Sequence, residues 1–395
     1  MKIAIVGAGQ FARSFAGLWQ LHPDVGAVYV TDVIAERARE YQHRYGLAGT
    51  YDTFDEVLAS DADAVAIFTQ RWTHGQMALA ALRAGKHVYS SVPMAIEAGE
   101  IEAIVAEVAR GERIYMMGET SYYNPAVWWA REQVAAGAMG RVFYAEGDYV
   151  HDMDNGFYAA YAYSGGPDWK RTASFPPMLY PTHAVGGVLG ALPTHAVSVS
   201  CLGVVDQRDD GVFDKSVSMF DNDFSNMSAH VELADGGVMR TNEFRRVGHP
   251  AHVHESRFRF YGTDAVMEQT STGASLSTRE EIEDISALFR THAGQVPESE
   301  LAGIDEALRQ SFSSGTAPVQ DRSRLPAQFQ GAPNGHEGSH HFLADDFVRA
   351  VRSGTHPPVN AWTAARFTLP GIAAWESARS GGVRIPVPDL GDAPA

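Results

Sequence analysis

A chain of 395 residues, 45% hydrophobic and 10% aromatic, has material for two cored domains. Its 48 acidic and 31 basic residues leave a formal charge of −17, which repels phosphate backbones and anionic bilayers, so neither nucleic acid nor a membrane surface is expected as a partner. One cysteine, Cys201, excludes an internal disulfide and a thiolate metal cluster, and no metal site is expected.

The chain enters a strand at once, Lys2 to Val6, with no basic-then-apolar leader, and no apolar run approaches the roughly 18 residues of a membrane span. The cytoplasm is the expected compartment. Further strands are predicted at Ala27 to Thr31, Ala64 to Thr69, His87 to Ser90 and Ile114 to Met117. Between them, apolar residues at helical spacing predict helices over Phe11 to Gln20, Ile34 to Tyr45, His74 to Ala84 and Glu100 to Arg110, with Gly46 and Gly85 as helix-ending glycines. This alternation reads as a doubly wound Rossmann domain over residues 1–118.

From Tyr122 the pattern changes. A helix at Pro125 to Ala136 is followed by period-two runs at Val142 to Val150, Val197 to Val205, Ser225 to Leu233, Val238 to Phe244 and Ser256 to Tyr261. They predict an α+β second domain, residues 119–380, on a largely antiparallel open sheet. Residues 270–335, rich in Ser, Thr, Gly, Pro and charge, read as a surface excursion with a helix at Glu298 to Gln310. Residues 381–395 are expected to return to the first domain, Gly382 to Pro388 as a closing strand. Apolar area on the open sheet face predicts a homodimer or higher homo-oligomer.

After the first strand stand Gly7, Ala8, Gly9, Gln10, Phe11 and Ala12, a G-x-G-x-x-A turn opening a helix. Such a turn lets a pyrophosphate approach free N–H groups at the helix N-terminus. Twenty residues past Ala12, Asp32 closes the second strand, where a carboxylate accepts both ribose hydroxyls and repels a 2′-phosphate. NAD is therefore the expected cofactor, ahead of NADP.

The segment from Ala64 to Pro93, with Thr69, His74 and the run Ala80 to Val88, resembles the Gfo/Idh/MocA family of glucose-fructose oxidoreductase and inositol dehydrogenase, over nearly the whole chain. The dehydrogenases of that family carry Glu-Lys-Pro, with the lysine as proton relay, where this chain has Ser91, Val92 and Pro93. Valine has no titratable group. The dehydrogenases also tend to place an Asp four residues before a His; here Leu179 precedes His183. Val-Pro with Tyr180-Pro181-Thr182-His183 is similar to the hydrolytic branch, the NAD-dependent α-N-acetylgalactosaminidases and sulfoquinovosidases, as are Met116 to Tyr123, Gly147 to Asp152, Trp169 with Arg171, and Gly335 to Gly338.

The resemblance implies a glycoside hydrolase in which NAD is a catalyst: oxidation at carbon 3, elimination of the aglycone, water addition and re-reduction. It implies catalytic roles for His183, Tyr180, Tyr123 and Glu119, with His183 on the oxidised hydroxyl and Tyr123 or Tyr180 on carbon 2. Tyr180 and His183 share a face if Pro181-Thr182 opens a helix. A phenol acting as base needs a cation nearby. With the glycine turn and Asp32, the resemblance implies a cofactor set of Gly7, Gly9, Gln10, Phe11, Ala12, Asp32, Thr69, Gln70, Trp72, His74, Ser91, Val92, Trp169 and Arg171.

Lys170, Arg171, Arg240, Arg245 and Arg246, with His151 and His249, form a basic set unusual in so acidic a chain. Guanidinium groups suit sulfonate or carboxylate, which makes a sulfoquinovoside the leading substrate, with His151, Lys170, Arg240, Arg245 and His336 as substrate contacts. Two rivals stay open: an NAD-dependent sugar dehydrogenase whose relay runs through His183, and a nucleotide-binding sensor without catalysis.

Overall fold

The computed structural model describes residues 1–248, 255–291 and 315–394. Two sheets organise them. The first is wholly parallel, in the order β3-β2-β1-β4-β5-β6, from β1 (Lys2–Val6), β2 (Ala27–Thr31), β3 (Gly49–Thr50), β4 (Ala64–Ile67), β5 (His87–Ser90) and β6 (Tyr115–Met117). Its connecting helices are α1 (Ala12–Leu21), α2 (Ala35–Tyr45), α3 (Phe54–Ala59), α4 (His74–Arg83) and α5 (Ala98–Arg110). Gly46 and Gly85 take positive φ where the sequence predicts helix ends. The strand order reverses between β1 and β4, which opens the ligand crevice of such a sheet above their carboxyl ends.

After α6 (Pro125–Ala135) comes the second sheet, of nine strands: β7 (Val142–Val150), β8 (Ala196–Val205), β9 (Phe224–Leu233), β10 (Val238–Phe244), β11 (Ser256–Gly262), β12 (Val266–Gln269), β13 (Ala274–Ser277), β14 (Ile282–Asp284) and β15 (Ile385–Pro386). Its order is β14-β13-β12-β11-β7-β10-β9-β8-β15, antiparallel except where β7 meets β10. α7 (Phe157–Gly165), α8 (Trp169–Ala173) and α9 (Thr182–Ala191) lie in the chain between β7 and β8. The remaining helices are α10 (Ser286–Phe289), α11 (Ser339–Ser353) and α12 (Ala361–Arg379).

Three expectations change. The excursion at 270–335 contains β13 and β14, which extend the sheet at its edge; the helix predicted at 298–310 lies outside the described residues. The C-terminal strand does not join the first sheet: β15 pairs with β8 of the second. The chain returns to the first sheet as helices instead, because Phe342, Leu343, Phe347 and Val348 of α11 complete the apolar layer over β1 and β2, and α12 packs against α5 and β6. The middle of the open face is also not apolar. Glu146 binds Arg240 at 2.8 Å and pairs with Arg259 there, so whatever assembly that face makes meets charge.

α9 covers the other face so closely that a Cβ on Gly147 of β7 would lie 2.4 Å from the Ala184 carbonyl oxygen. That contact brings the start of α9 against the end of β7.

Candidate active site

The glycine-rich turn is built to receive something. Gly7, at φ 96°, packs so that a Cβ would lie 2.8 Å from the Phe68 carbonyl, which pins the turn to the end of β4. A Cβ on Gly9 would meet nothing within 4 Å. The first turn of α1 has no capping side chain and no acidic residue, so its N–H groups suit an anion. Asp32 accepts from the Ala8 and Ile34 N–H groups, each at 2.8 Å, which fixes the carboxylate beside the turn. These features fit a dinucleotide.

The other residues assigned to the cofactor divide. His74 is buried and ties two loops together, Nδ1 at 2.9 Å from the Pro93 carbonyl and Nε2 at 3.1 Å from that of Thr69. Thr69 Oγ1 meets Thr73 Oγ1 at 2.7 Å, and the Gln70 carbonyl accepts from the Thr73 N–H at 2.8 Å, so this segment frames the crevice. Ser91 donates to the Ile67 carbonyl at 3.0 Å, and Val92 is buried in the apolar core. Gln10 and Ala12 belong to the turn itself, and Phe11 packs on Phe15, Phe68, His336 and His340 at 5.4 to 5.9 Å. Trp72 meets Phe220 at 5.6 Å. Trp169 and Arg171 stand apart on α8, Trp169 edge-on to Tyr158 at 5.5 Å and Arg171 exposed.

Across the crevice, the segment after β6 and the start of α9 assemble a relay. Glu119, fully buried, places Oε1 2.7 Å from Nδ1 of His183, and His183 Nε2 lies 3.3 Å from the Tyr180 hydroxyl. Burial works against the charge of Glu119, but the His183 ring and the hydrogen bonds from His183 and the Ser121 N–H hold its carboxyl below the usual glutamate range. A carboxylate on Nδ1 sets the tautomer and leaves Nε2 as the acceptor. Tyr180 and His183 do converge, because Pro181 caps the helix that has His183 in its first turn and Tyr180 just before it. Burial raises the Tyr180 hydroxyl above the usual phenol range, while the Arg71 guanidinium, 5.1 Å from its ring centre, pulls the other way.

Tyr123 is not part of this set. Its hydroxyl donates to Asp346 and accepts from Arg324 at 3.3 Å, and its ring stacks on Phe342 at 5.0 Å, in the layer beneath α11. It is a buried packing tyrosine whose polar end is satisfied.

Among the proposed substrate contacts, alternation along β10 separates neighbours. Arg245 shares the α9 face with Tyr149, lying 5.0 Å over its ring, and pairs with buried Glu243 at 2.8 Å. Arg240 points to the opposite face, to Glu146, and is not in the crevice. Arg246 is bound to Asp210 at 2.9 Å, and Lys170 donates to the Asp210 carbonyl at 2.7 Å on the outer flap. His249 lies outside the described residues. His151 does reach the site, with Nδ1 on the Tyr149 hydroxyl; burial, then Arg245 and His183, hold it far below the usual imidazole range. His336 adopts φ 46° and joins His340 at 2.8 Å, between Phe11 and the relay, and burial lowers its pKa to about 3.

Sequence reading missed Tyr149, Glu243 and Arg71. Tyr149 stands two residues before His151 and Glu243 two before Arg245, so strand alternation already assigns each pair a common face. Arg71 lies between Gln70 and Trp72, both of which were singled out. Among the described residues no group of three or more metal-ligating side chains comes together, and no helix is long and apolar enough to cross a membrane.

Residues 1–119 match the Gfo/Idh/MocA oxidoreductase family with an NAD-binding Rossmann fold. A 4-carboxy-2-hydroxymuconate-6-semialdehyde dehydrogenase of Sphingobium is 30% identical over 140 residues, 35% of this chain and 44% of that protein. A glycosyl hydrolase family 109 protein of Streptomyces niveus is 25% identical over 99% of this chain and 77% of its own. The chain spans less than half the length of several such curated relatives. A levoglucosan dehydrogenase solved with NADH and levoglucosan has the same fold, with a TM-score of 0.72 and 16% identity, covering 98% of this chain and 99% of that one. The relatives thus include both dehydrogenases and hydrolases, and the cofactor of the first domain is NAD.

Proposed function

We propose, from an NAD-binding Rossmann domain of the Gfo/Idh/MocA family set against this crevice, that the protein oxidises a hydroxyl of a sugar or sugar-like polyol, with His183 receiving the proton. The observation that carries this reading is the Glu119–His183 contact at 2.7 Å, which turns the Nε2 lone pair toward the Tyr180 hydroxyl and the crevice. Bound NAD supplies the hydride acceptor. Glu119 holds Nδ1–H and stabilises the imidazolium that forms; Tyr180 orients the reacting hydroxyl at Nε2. Val92 takes no proton, and the relay replaces the lysine of the related dehydrogenases. In the crevice, His74 and the buried Ser91 hold the loops that keep bulk water out.

The placement of Tyr123 supports this reading over hydrolysis. An oxidation–elimination cycle needs a second base for carbon 2 and an acid for the leaving oxygen, and one of its two tyrosines is committed to Asp346. The hydrolytic reading, with a sulfoquinovoside or other α-glycoside as substrate, keeps support from similarity to a family 109 protein over 99% of the chain. In that case Tyr180 alone, beside Arg71, serves carbon 2. Either way the partner is a free small molecule, and the protein works in the cytoplasm as a homodimer or higher homo-oligomer.

The discriminating experiment incubates the protein and NAD with hexoses, sugar acids and polyols, and in parallel with nitrophenyl glycosides. Reduced dinucleotide accumulating in step with ketone, with the glycosides intact, is expected. Nitrophenol released with no net reduction of NAD would overturn the dehydrogenase reading for the hydrolytic one. Tight NAD binding with neither product would leave only a sensor.

A further inference from the structure

Among the described residues, Arg71 is a cation in the crevice with no carboxylate partner. Arg71 follows β4 in the short turn Arg71–Thr73. Its guanidinium lies over the rings of Phe175 at 4.5 Å and of Tyr161 and Tyr180 at 5.1 Å, and Nη2 donates to the Tyr161 hydroxyl at 2.7 Å. Among the described residues no carboxylate lies within ion-pairing distance of it. Of the arginines expected to meet an anion, three are engaged, Arg245 with Glu243, Arg240 with Glu146 and Arg246 with Asp210, and Arg171 is exposed on α8. Aromatic faces attract a guanidinium but accept no hydrogen bond in the ring plane, so most of its five donors remain for a ligand. On a chain of charge −17, a half-buried cation without a carboxylate is a costly thing to keep.

Its position is specific as well. Tyr180 touches His183 with its hydroxyl and Arg71 with its ring face, so a ligand whose reacting hydroxyl sits at Nε2 presents its far side to the guanidinium.

We propose that Arg71 binds a carboxylate or sulfonate on the substrate, so that the preferred substrate is an acidic sugar and not a neutral one. This rests on the reading above, which places the sugar beside His183. The planar fork of Arg71 grips the anion bidentately, and contact with three aromatic rings, with the bond to the Tyr161 hydroxyl, keeps the fork aimed. The phosphates of the dinucleotide are the other anions in this crevice, and the test separates the two.

NAD-loaded protein is titrated calorimetrically with D-glucuronate, with 6-deoxy-6-sulfo-D-glucose and with D-glucose, which differ only at the group on carbon 6. At least one of the two acids is expected to bind about tenfold or more tightly than glucose. Arg71→Met lowers affinity for that acid by about 10- to 100-fold, leaves glucose within about twofold and leaves the Kd for NAD within about twofold; Arg71→Lys recovers part of the loss. Equal or tighter binding of glucose by the wild-type protein, or no measurable binding of either acid, overturns the proposal without recourse to a variant. So does weakened NAD binding with acid affinity intact in Arg71→Met, which would assign the guanidinium to the cofactor phosphates. Because binding is read apart from turnover, acid-selective binding with no reduced dinucleotide would remove the oxidoreductase reading alone. Oxidation of neutral sugars with no preference for acids would remove this one alone.

Discussion

A carboxylate at 2.7 Å from Nδ1 decides what His183 can do, because it fixes which nitrogen carries the proton. Replacing Glu119 with Gln keeps a hydrogen-bond acceptor but removes the charge that stabilises the imidazolium; turnover should fall about a hundredfold or more, in kcat more than in KM. His183→Ala should lower turnover by roughly 10²- to 10⁴-fold with NAD affinity unchanged, read by cofactor fluorescence. Full activity in either variant would remove the relay. Since the Glu119 carboxyl titrates below the usual glutamate range, it stays ionised through mild acid and adds no acid limb to the rate above about pH 4.5. Tyr123 makes the contrast: Tyr123→Phe should leave turnover within about threefold, but cost about 1–3 kcal/mol of stability by stripping buried Asp346 of a donor, measurable in urea unfolding. At this scale residue types were legible and their directions only partly. The Tyr-Pro-Thr-His run announced a converging pair, whereas Tyr123 and Arg240 carried the right chemistry on the wrong face. A side chain's neighbours depend on which strand or helix face the fold turns inward.

Elements carry two further expectations. In the glycine turn, Gly9→Ala introduces a methyl that meets nothing in the free protein, so its melting temperature should hold while NAD affinity drops about tenfold or more, the methyl filling the phosphate cradle. Gly7→Ala should instead unfold the turn, since its Cβ meets the Phe68 carbonyl at 2.8 Å with φ at 96°. If both variants bind NAD like the wild type, the turn is not the cradle. The second concerns α11 and the turn that leads into it. Burial holds His336 near 3, His341 near 4 and His340 well below the usual imidazole range. A histidine whose folded pKa is depressed contributes stability that is complete above its unfolded value near ~6.5 and is lost as pH falls below it, by up to about 1.4 kcal/mol per pH unit for each group. Stability should therefore decline from pH 6.5 to 5, and His341→Gln should flatten that slope by about one group's share; an unchanged slope would mean that this ring already titrates normally. In the first 118 residues five strands and four helices followed from periodicity and glycine placement alone, whereas the two-residue β3 and the short α3 carry too little pattern to be read. α9 did not, because its apolar, glycine-rich sequence has weak helical propensity and is held by the close approach of β7 and β11.

The two sheets share their packing. One apolar cluster runs from β4 and α5 through α12 into β9 and β11, and a second joins α1 to α11. Residues 1–118 expressed alone should therefore fail to fold cooperatively, exposing the surfaces that α11 and α12 cover; a soluble fragment with a sharp melting transition and NAD affinity would contradict this. The crevice exists only in the assembled chain, since Arg71 comes from the first sheet, His183 and Tyr180 from around α9, and His336 from the turn before α11. From its sequence alone this protein determined a parallel dinucleotide-binding sheet, the glycine turn, Asp32 and an antiparallel second sheet, because those depend on local periodicity and on the backbone freedom of glycine. Only the tertiary structure decided that Glu119 grips His183, that Tyr123 is packing, that β15 closes the second sheet and that Arg71, among the described residues, has no carboxylate beside it. Burial and ion pairing are settled by residues distant in the chain, and no local pattern records them.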